Sequence, residues 1–215
     1  MTDVVTTIVR ALKKAPIIPV LVIDDANEAV PLAKALVAGG LTVIEVTLRT
    51  PAAMDAVSAM TSVKGAIIGA GTLTEPSQFR AVSNAGAQFA VSPGFSPELS
   101  DAAAEAGLFY LPGVATASEV IAAHAQGHSF LKFFPAEAAG GVPMLNALGG
   151  PFPDIQFCPT GGISGLQLEK YLALRNVLCV GGAWVAPRDL VKARDWSAIT
   201  ALACEAVDIA ACIKN

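Results

Sequence analysis

Short apolar runs alternate along this chain with longer segments in which alanine, leucine and valine recur at helical spacing among polar residues. Glycine closes the helix-like segments at Gly40, Gly65, Gly86, Gly107 and Gly127, each just before an apolar run, at intervals of 25, 21, 21 and 20 residues. Glycine is the residue that most easily takes the left-handed conformation ending a helix. Each unit therefore reads as short strand, polar or glycine turn, amphipathic helix and terminating glycine. The pattern predicts strands over 17–23, 41–47, 66–70, 88–91, 109–111, 129–133, 155–158 and 177–180. Helices are expected over 26–38, 51–63, 76–85, 97–106, 117–126, 142–148, 165–173 and 189–192. Pro51, Pro76 and Pro97 suit helix starts, and Ser100, Ser118 and Ser164 suit N-cap or first-turn positions.

Strands that alternate with helices pair in parallel through helical crossovers. A closed (β/α)8 barrel and an open doubly wound sheet both satisfy that rule. Eight units of near-equal length favour the barrel, and no Gly-x-Gly-x-x-Gly fingerprint follows the first strand. The expected fold is therefore α/β, a (β/α)8 TIM barrel forming a single domain over 1–215. Residues 4–12 are expected to form an N-terminal capping helix and residues 197–213 a closing helix. No linker or low-complexity tract divides the chain.

Composition narrows the function. With 215 residues, 53% of them hydrophobic and 15% charged, the chain can bury one full-sized core. A net charge of -4 and scattered basic residues argue against nucleic-acid binding. The apolar segments are too short to read as membrane spans, and the N-terminus lacks a signal-peptide layout. Cys158, Cys179, Cys204 and Cys212 have no CxxC spacing and lie in apolar stretches, so they read as reduced core thiols. The expected setting is cytoplasmic.

The chemistry concentrates at Lys132, in the run Ser129-Phe130-Leu131-Lys132-Phe133-Phe134-Pro135. The other seven lysines lie in polar or helix-like surroundings. Burying an ammonium costs several kcal/mol or more unless it is paired or neutralised, and a neutral amine is the nucleophile that forms Schiff bases with carbonyl compounds. The expected partner is Glu45, in the equally apolar run Leu41-Thr42-Val43-Ile44-Glu45-Val46-Thr47. A purely structural buried ion pair is the alternative. Strand alternation places Val43, Glu45 and Thr47 on one face, and Phe130, Lys132 and Phe134 on one face, so the two side chains can converge in one pocket.

In a barrel, chemistry belongs at the C-terminal strand ends, and the unusual residues fall there: Glu45 and Thr47 with Arg49 beyond, Gly69-Ala70-Gly71-Thr72, Ser92-Pro93-Gly94, Lys132, and Pro159-Thr160-Gly161-Gly162. Gly161-Gly162 and Gly181-Gly182 follow the last two predicted strands. Barrels often bind phosphate there through backbone N–H groups, and tight turns are the alternative reading.

Six segments resemble the 2-keto-3-deoxy-6-phosphogluconate (KDPG) aldolase family: Glu45-Val46-Thr47-Leu48-Arg49-Thr50, Gly69-Ala70-Gly71-Thr72, Phe89-Ala90-Val91-Ser92-Pro93-Gly94, Leu111-Pro112-Gly113-Val114-Ala115-Thr116, Lys132-Phe133-Phe134-Pro135-Ala136-Glu137 and Pro159-Thr160-Gly161-Gly162-Ile163. The matches run in order from about Pro19 to Trp184. The resemblance implies a homotrimeric, metal- and cofactor-free lyase of the Entner–Doudoroff pathway. Such an enzyme splits KDPG into pyruvate and glyceraldehyde 3-phosphate, and some members also cleave 4-hydroxy-2-oxoglutarate. It implies Lys132 as Schiff-base nucleophile and Glu45 as general acid/base. Arg49 and Thr72 are implied to hold the carboxylate, with Thr160 counted among the substrate-binding residues, and Gly161, Gly162, Gly181 and Gly182 to hold the phosphate. One position departs from the pattern. Many members carry serine where this chain has Ala183, and losing that hydroxyl hydrogen bond to phosphate costs roughly 1.5–3 kcal/mol.

Other residues carry plainer readings. His124 and His128 lack a third ligand and read as an exposed pair, not a metal site. Asp24-Asp25 reads as a helix cap, Glu137 as surface loop or subunit contact, and Tyr110 and Trp184 as pocket lining or core packing. Besides the aldolase, two function classes remain: a metal-free phosphosugar isomerase or epimerase, and a catalytically silent binding barrel.

Overall fold

The computed structural model describes residues 2–214, with side chains over 5–213. Met1 and Asn215, the ends of the expected 1–215 domain, and the side chain of Val4 in the expected 4–12 helix lie outside the described residues. The strands are β1 (Ile17–Leu21), β2 (Val43–Thr47), β3 (Ile67–Gly71), β4 (Phe89–Val91), β5 (Phe109–Leu111), β6 (Gly113–Val114), β7 (Phe130–Phe133), β8 (Gln156–Pro159) and β9 (Val180–Gly182). The helices are α1 (Thr2–Lys14), α2 (Ala29–Ala38), α3 (Ala53–Met60), α4 (Pro76–Asn84), α5 (Pro97–Glu105), α6 (Ala117–Ala125), α7 (Gly141–Gly149), α8 (Leu168–Leu172), α9 (Arg188–Ala193) and α10 (Trp196–Lys214).

The result is an α/β fold of parallel strands. One sheet has the order β5-β4-β3-β2-β1-β9 and the other β6-β7-β8. The sheets approach each other twice. β5 and β6 are separated by Pro112 alone, whose carbonyl accepts the Lys132 N–H at 2.8 Å. Proline has no N–H for a ladder, which is why one extended segment is split there. At the other junction, parallel bridges join Phe157 to Val177 and Thr160 to Gly181.

Alternation along the strands sorts side chains into two cores. Ile18, Val43, Ile67, Phe89, Val91, Leu111 and Cys158 form an inner cluster with Ile8 and Leu12 of α1. Ile17, Ile44, Val46, Ile68, Leu131 and Phe133 face the helices in an outer one. The five glycines that punctuate the units all have positive φ, from +70° to +93°. Pro76 and Pro97 begin their helices as expected, while Pro51 stands two residues before α3. Ser164 caps the 3-10 turn at Gly165–Gln167 and Ser100 and Ser118 fall in first turns, as expected, and Ser96 and Thr116 add caps that accept from Leu99 and Glu119 N–H.

Four expectations need correction. The last strand is β9 at Val180–Gly182, later than 177–180, so Gly181 and Gly182 are strand residues pairing with Ile18 and Pro19. Cys204 and Cys212 are exposed, while Cys158 and Cys179 are buried. His124 is exposed, but burial lowers the His128 pKa, and its Nε2 lies 2.8 Å from Ser100 Oγ. Finally, an 18-residue window of α10, Trp196–Ile213, is long and apolar enough to cross a membrane by length and composition. Its Ile199, Ala203, Ala206 and Ala210 are buried along one face, and Thr200 Oγ1 donates to the Ala35 carbonyl of α2. The helix thus uses an apolar face within the fold.

Candidate active site

Lys132 lies on β7 and Glu45 on β2, and both alternate inward, above the inner apolar cluster. Residues 87 apart in sequence meet there: Lys132 Nζ donates to Glu45 Oε1 at 3.3 Å. The side chains are 5% and 3% exposed, so the pair has little water to stabilise either charge. Lys132 Nζ also stands 5.3 Å from the centre of the Phe134 ring. Glu45 reaches this position across Gly71, the last residue of β3, where a Cβ atom would overlap Oε1. Glycine there is a requirement of space, since φ is not in the left-handed region.

The next residue along β3 adds a second pair. Thr72 has a φ of +64°, a left-handed conformation that costs a β-carbon residue roughly 1–2 kcal/mol. Its Oγ1 accepts from Arg49 Nε at 3.2 Å. Arg49 is exposed two residues beyond the end of β2, so its guanidinium reaches over the same strand ends. Strained backbone held by a partner side chain is a recurrent feature of sites. Arg49 and Thr72 are thus joined to Glu45 through Gly71 at one end of the sheet.

The third group follows β8. Thr160 is buried beside β7, where its N–H donates to the Phe133 carbonyl at 2.9 Å. Gly161 and Gly162 have φ values of +105° and +79°, so this turn follows a path that side-chain-bearing residues rarely take. Gly181 and Gly182 lie beside it within β9. A Cβ at Gly181 would overlap Thr160 Oγ1, and one at Gly182 would overlap the Trp184 ring. Ala183 is exposed just past the strand. Asp25 caps the following turn by accepting from Asn27 N–H at 2.9 Å. Asp24 pairs with Arg188, whose hydrogen bond lowers the carboxyl pKa. Tyr110 is core: its phenol, pushed up to about 12 by burial, lies 2.6 Å from Ser92 Oγ.

The arrangement therefore offers a buried amine beside a carboxylate, a guanidinium within a few residues, and glycine backbone at close quarters. A cavity of about 610 Å³ lies elsewhere: Phe109, Phe130, Gln156 and α1 line it, at the N-terminal strand ends. Barrel-type α/β enzymes place chemistry at the opposite ends, where the Lys132 carboxylate partner and the glycine turns are found. Among the described residues, no group of three or more His, Cys, Asp and Glu side chains is placed to hold a metal ion.

Comparison with known proteins decides the family. The model of the KDPG and KHG aldolase family matches residues 8–202. The chain belongs to that family. It is 54% identical to the 2-dehydro-3-deoxy-phosphogluconate aldolase of Pseudoalteromonas atlantica, over 90% of this chain and 91% of that one. The KHG/KDPG aldolase of Escherichia coli K12 is 50% identical over 92% of this chain and 93% of its own. The KDPG aldolase of Legionella pneumophila, solved with pyruvate captured as a covalent carbinolamine, superposes with a TM-score of 0.88. It is 47% identical, covering 91% of this chain and 96% of that one.

Within the aldolase, two residues stand out that sequence reasoning passed over. Gly71 lies in the segment Gly69-Ala70-Gly71-Thr72, and the reason for glycine there is the Glu45 carboxylate. Glu137 is exposed in a turn, as a surface-loop residue would be, and its carboxylate accepts from Tyr171 Oη and from Gln167 Nε2. Its only sequence signal was the position five residues after Lys132.

Proposed function

We propose that this chain is a class I aldolase that cleaves KDPG to pyruvate and glyceraldehyde 3-phosphate through a Schiff base on Lys132. The observation that carries this reading is the buried contact between Lys132 Nζ and Glu45 Oε1, in a family where pyruvate has been captured as a carbinolamine. The Lys132 amine adds to the C2 ketone, and the carbinolamine loses water to give an iminium. Glu45, directly or through a water, takes the C4 hydroxyl proton. The C3–C4 bond breaks, glyceraldehyde 3-phosphate leaves, and the electron pair moves onto nitrogen as an enamine. Protonation at C3 and addition of water then release pyruvate and free the lysine. The iminium is the electron sink, so the chemistry calls for neither metal nor cofactor. Arg49 and Thr72 hold the carboxylate, Arg49 with the fork that matches two oxygens. Thr160 contacts substrate beside the nucleophile, and Gly161, Gly162, Gly181 and Gly182 receive the phosphate through backbone.

The reading extends to architecture and setting. With β5 and β6 taken as one strand broken at Pro112, the parallel pairings and the two bridges support a closed (β/α)8 barrel, and Ile8 and Leu12 support α1 as its cap. We read it as one domain over 1–215, a cytoplasmic homotrimer that takes a small 2-oxo acid and binds neither nucleic acid nor membrane.

Ala183 favours 4-hydroxy-2-oxoglutarate as a second substrate, because the position that carries a serine hydroxyl in many members is an alanine here. Reduction with borohydride in the presence of pyruvate tests the aldolase: it should leave one stable adduct per chain, whereas an isomerase would leave none. Ala183→Ser is expected to lower KM for KDPG about tenfold, one decade being about 1.4 kcal/mol. KM for 4-hydroxy-2-oxoglutarate should stay put. Improvement on both substrates would mean better packing, and an unchanged KM for KDPG would remove position 183 from the phosphate site. Gly71→Ala is expected to push the Glu45 carboxylate aside and lower kcat roughly tenfold on both substrates, since small displacements of reacting groups are expensive.

A further inference from the structure

Glu137 is exposed and takes no part in the steps above, yet both of its carboxylate oxygens are held. Tyr171 Oη donates to Oε1, and Gln167 Nε2 donates to Oε2 at 2.7 Å. Gln167 is itself fixed, because its Oε1 accepts from the N–H and the hydroxyl of Ser164 at 2.9 and 3.0 Å. Burial first, and then the hydrogen bond to Glu137, raises the Tyr171 pKa well above the ordinary phenol value, so the hydroxyl remains a donor. These contacts tie the turn after β7 to the 3-10 turn at Gly165–Gln167 and to α8.

The same turn also orients the glycine loop. Ala136 N–H donates to the Thr160 carbonyl at 2.8 Å, and Glu137 N–H donates to the Gly161 carbonyl at 3.1 Å. In a trans peptide the C=O and N–H point to opposite sides. With both carbonyls turned toward the β7 turn, the N–H groups of Gly161 and Gly162 face away from it, as a pair of donors for an anion. Glu137 further packs on the loop: a Cβ at Gly162 would lie 3.0 Å from Glu137 Cβ.

We propose that Glu137, gripped by Tyr171 and Gln167, is a positioning residue that holds the Gly161–Gly162 peptides with their N–H groups aimed at the substrate phosphate. It sets affinity for the phosphorylated substrate without touching it. This rests on the aldolase reading and on the glycine loop as the phosphate site. Loosening the grip leaves Lys132 and Glu45 in place but lets the two peptides rotate, so binding of phosphate weakens and chemistry does not.

The test uses Glu137→Gln and Tyr171→Phe in the full-length protein. Each keeps the shape of its side chain while weakening one contact. kcat and KM are measured on KDPG and on 4-hydroxy-2-oxoglutarate, together with inhibition by inorganic phosphate and thermal unfolding. KM for KDPG and the inhibition constant for phosphate should both rise, by about tenfold in Glu137→Gln. kcat on KDPG and both constants on 4-hydroxy-2-oxoglutarate should stay within about twofold. Equal losses on the two substrates, or well-folded variants with unchanged KM for KDPG, would overturn the proposal. A wild type that cleaves neither substrate would overturn the aldolase reading and the proposal with it. A wild type that cleaves KDPG but is indifferent to phosphate would overturn the proposal alone.

Discussion

Replacing Lys132 with arginine is expected to abolish cleavage of both substrates. Arginine stays protonated under all working conditions, so it offers no lone pair to the C2 ketone, and no later step can begin. The positive charge opposite Glu45 is kept, which separates loss of chemistry from loss of fold. Lys132→Ala should be equally inactive but less stable. It leaves a carboxylate that is 3% exposed without its partner, and breaking a buried pair from one side costs about 3–5 kcal/mol. Peptide mapping after borohydride and pyruvate should place the adduct on Lys132 in the wild type and find none in Lys132→Arg. An adduct on another lysine, or wild-type turnover by the arginine variant, would refute the assignment.

Glu45→Gln should lower turnover by about 10²–10⁴, the usual contribution of a positioned acid/base, equivalent to about 3–5 kcal/mol of barrier. The amide matches the carboxylate in volume and can still accept from Lys132 Nζ, so imine formation should survive and borohydride should still trap the adduct. Proton transfer at C3 is the step that fails. Exchange of the pyruvate methyl protons with deuterated water follows that half-reaction without the aldehyde. Exchange at the wild-type rate in Glu45→Gln would assign the proton transfer to another group or to water.

Short-range pattern was enough for the layered plan. Strand alternation placed Glu45 on one face with Val43 and Thr47, and Lys132 on one face with Phe130 and Phe134, since side chains on a strand alternate whatever lies around them. The terminating glycines at 40, 65, 86, 107 and 127 all take the left-handed conformation that their position in each unit demands. Six ordered segments, each a few residues long, were sufficient to point to the family.

What the chain alone left undecided depends on which strand neighbours which. The sequence showed two ionisable residues in apolar strands, but only the parallel order of the strands turns both inward and brings Nζ and Oε1 to 3.3 Å across 87 residues. Gly181 and Gly182 read as a loop because glycine usually marks one. They are strand residues because they pair with Ile18 and Pro19 of β1, and they are glycine because Thr160 and Trp184 occupy the space side chains would fill. Glu137 is on the surface as expected, but its partners, Gln167 and Tyr171, stand 30 and 34 residues further along, so the contacts that hold it are set by packing. Cys204 and Cys212 lie in an apolar run, yet the face of α10 that meets α2 is the one bearing Ile199, Ala203, Ala206 and Ala210, leaving both thiols exposed. Periodicity and caps are local properties of the chain, so the sequence determined element type and which residues share a face. Contacts between distant segments follow from how those elements pack, and tertiary structure decided them.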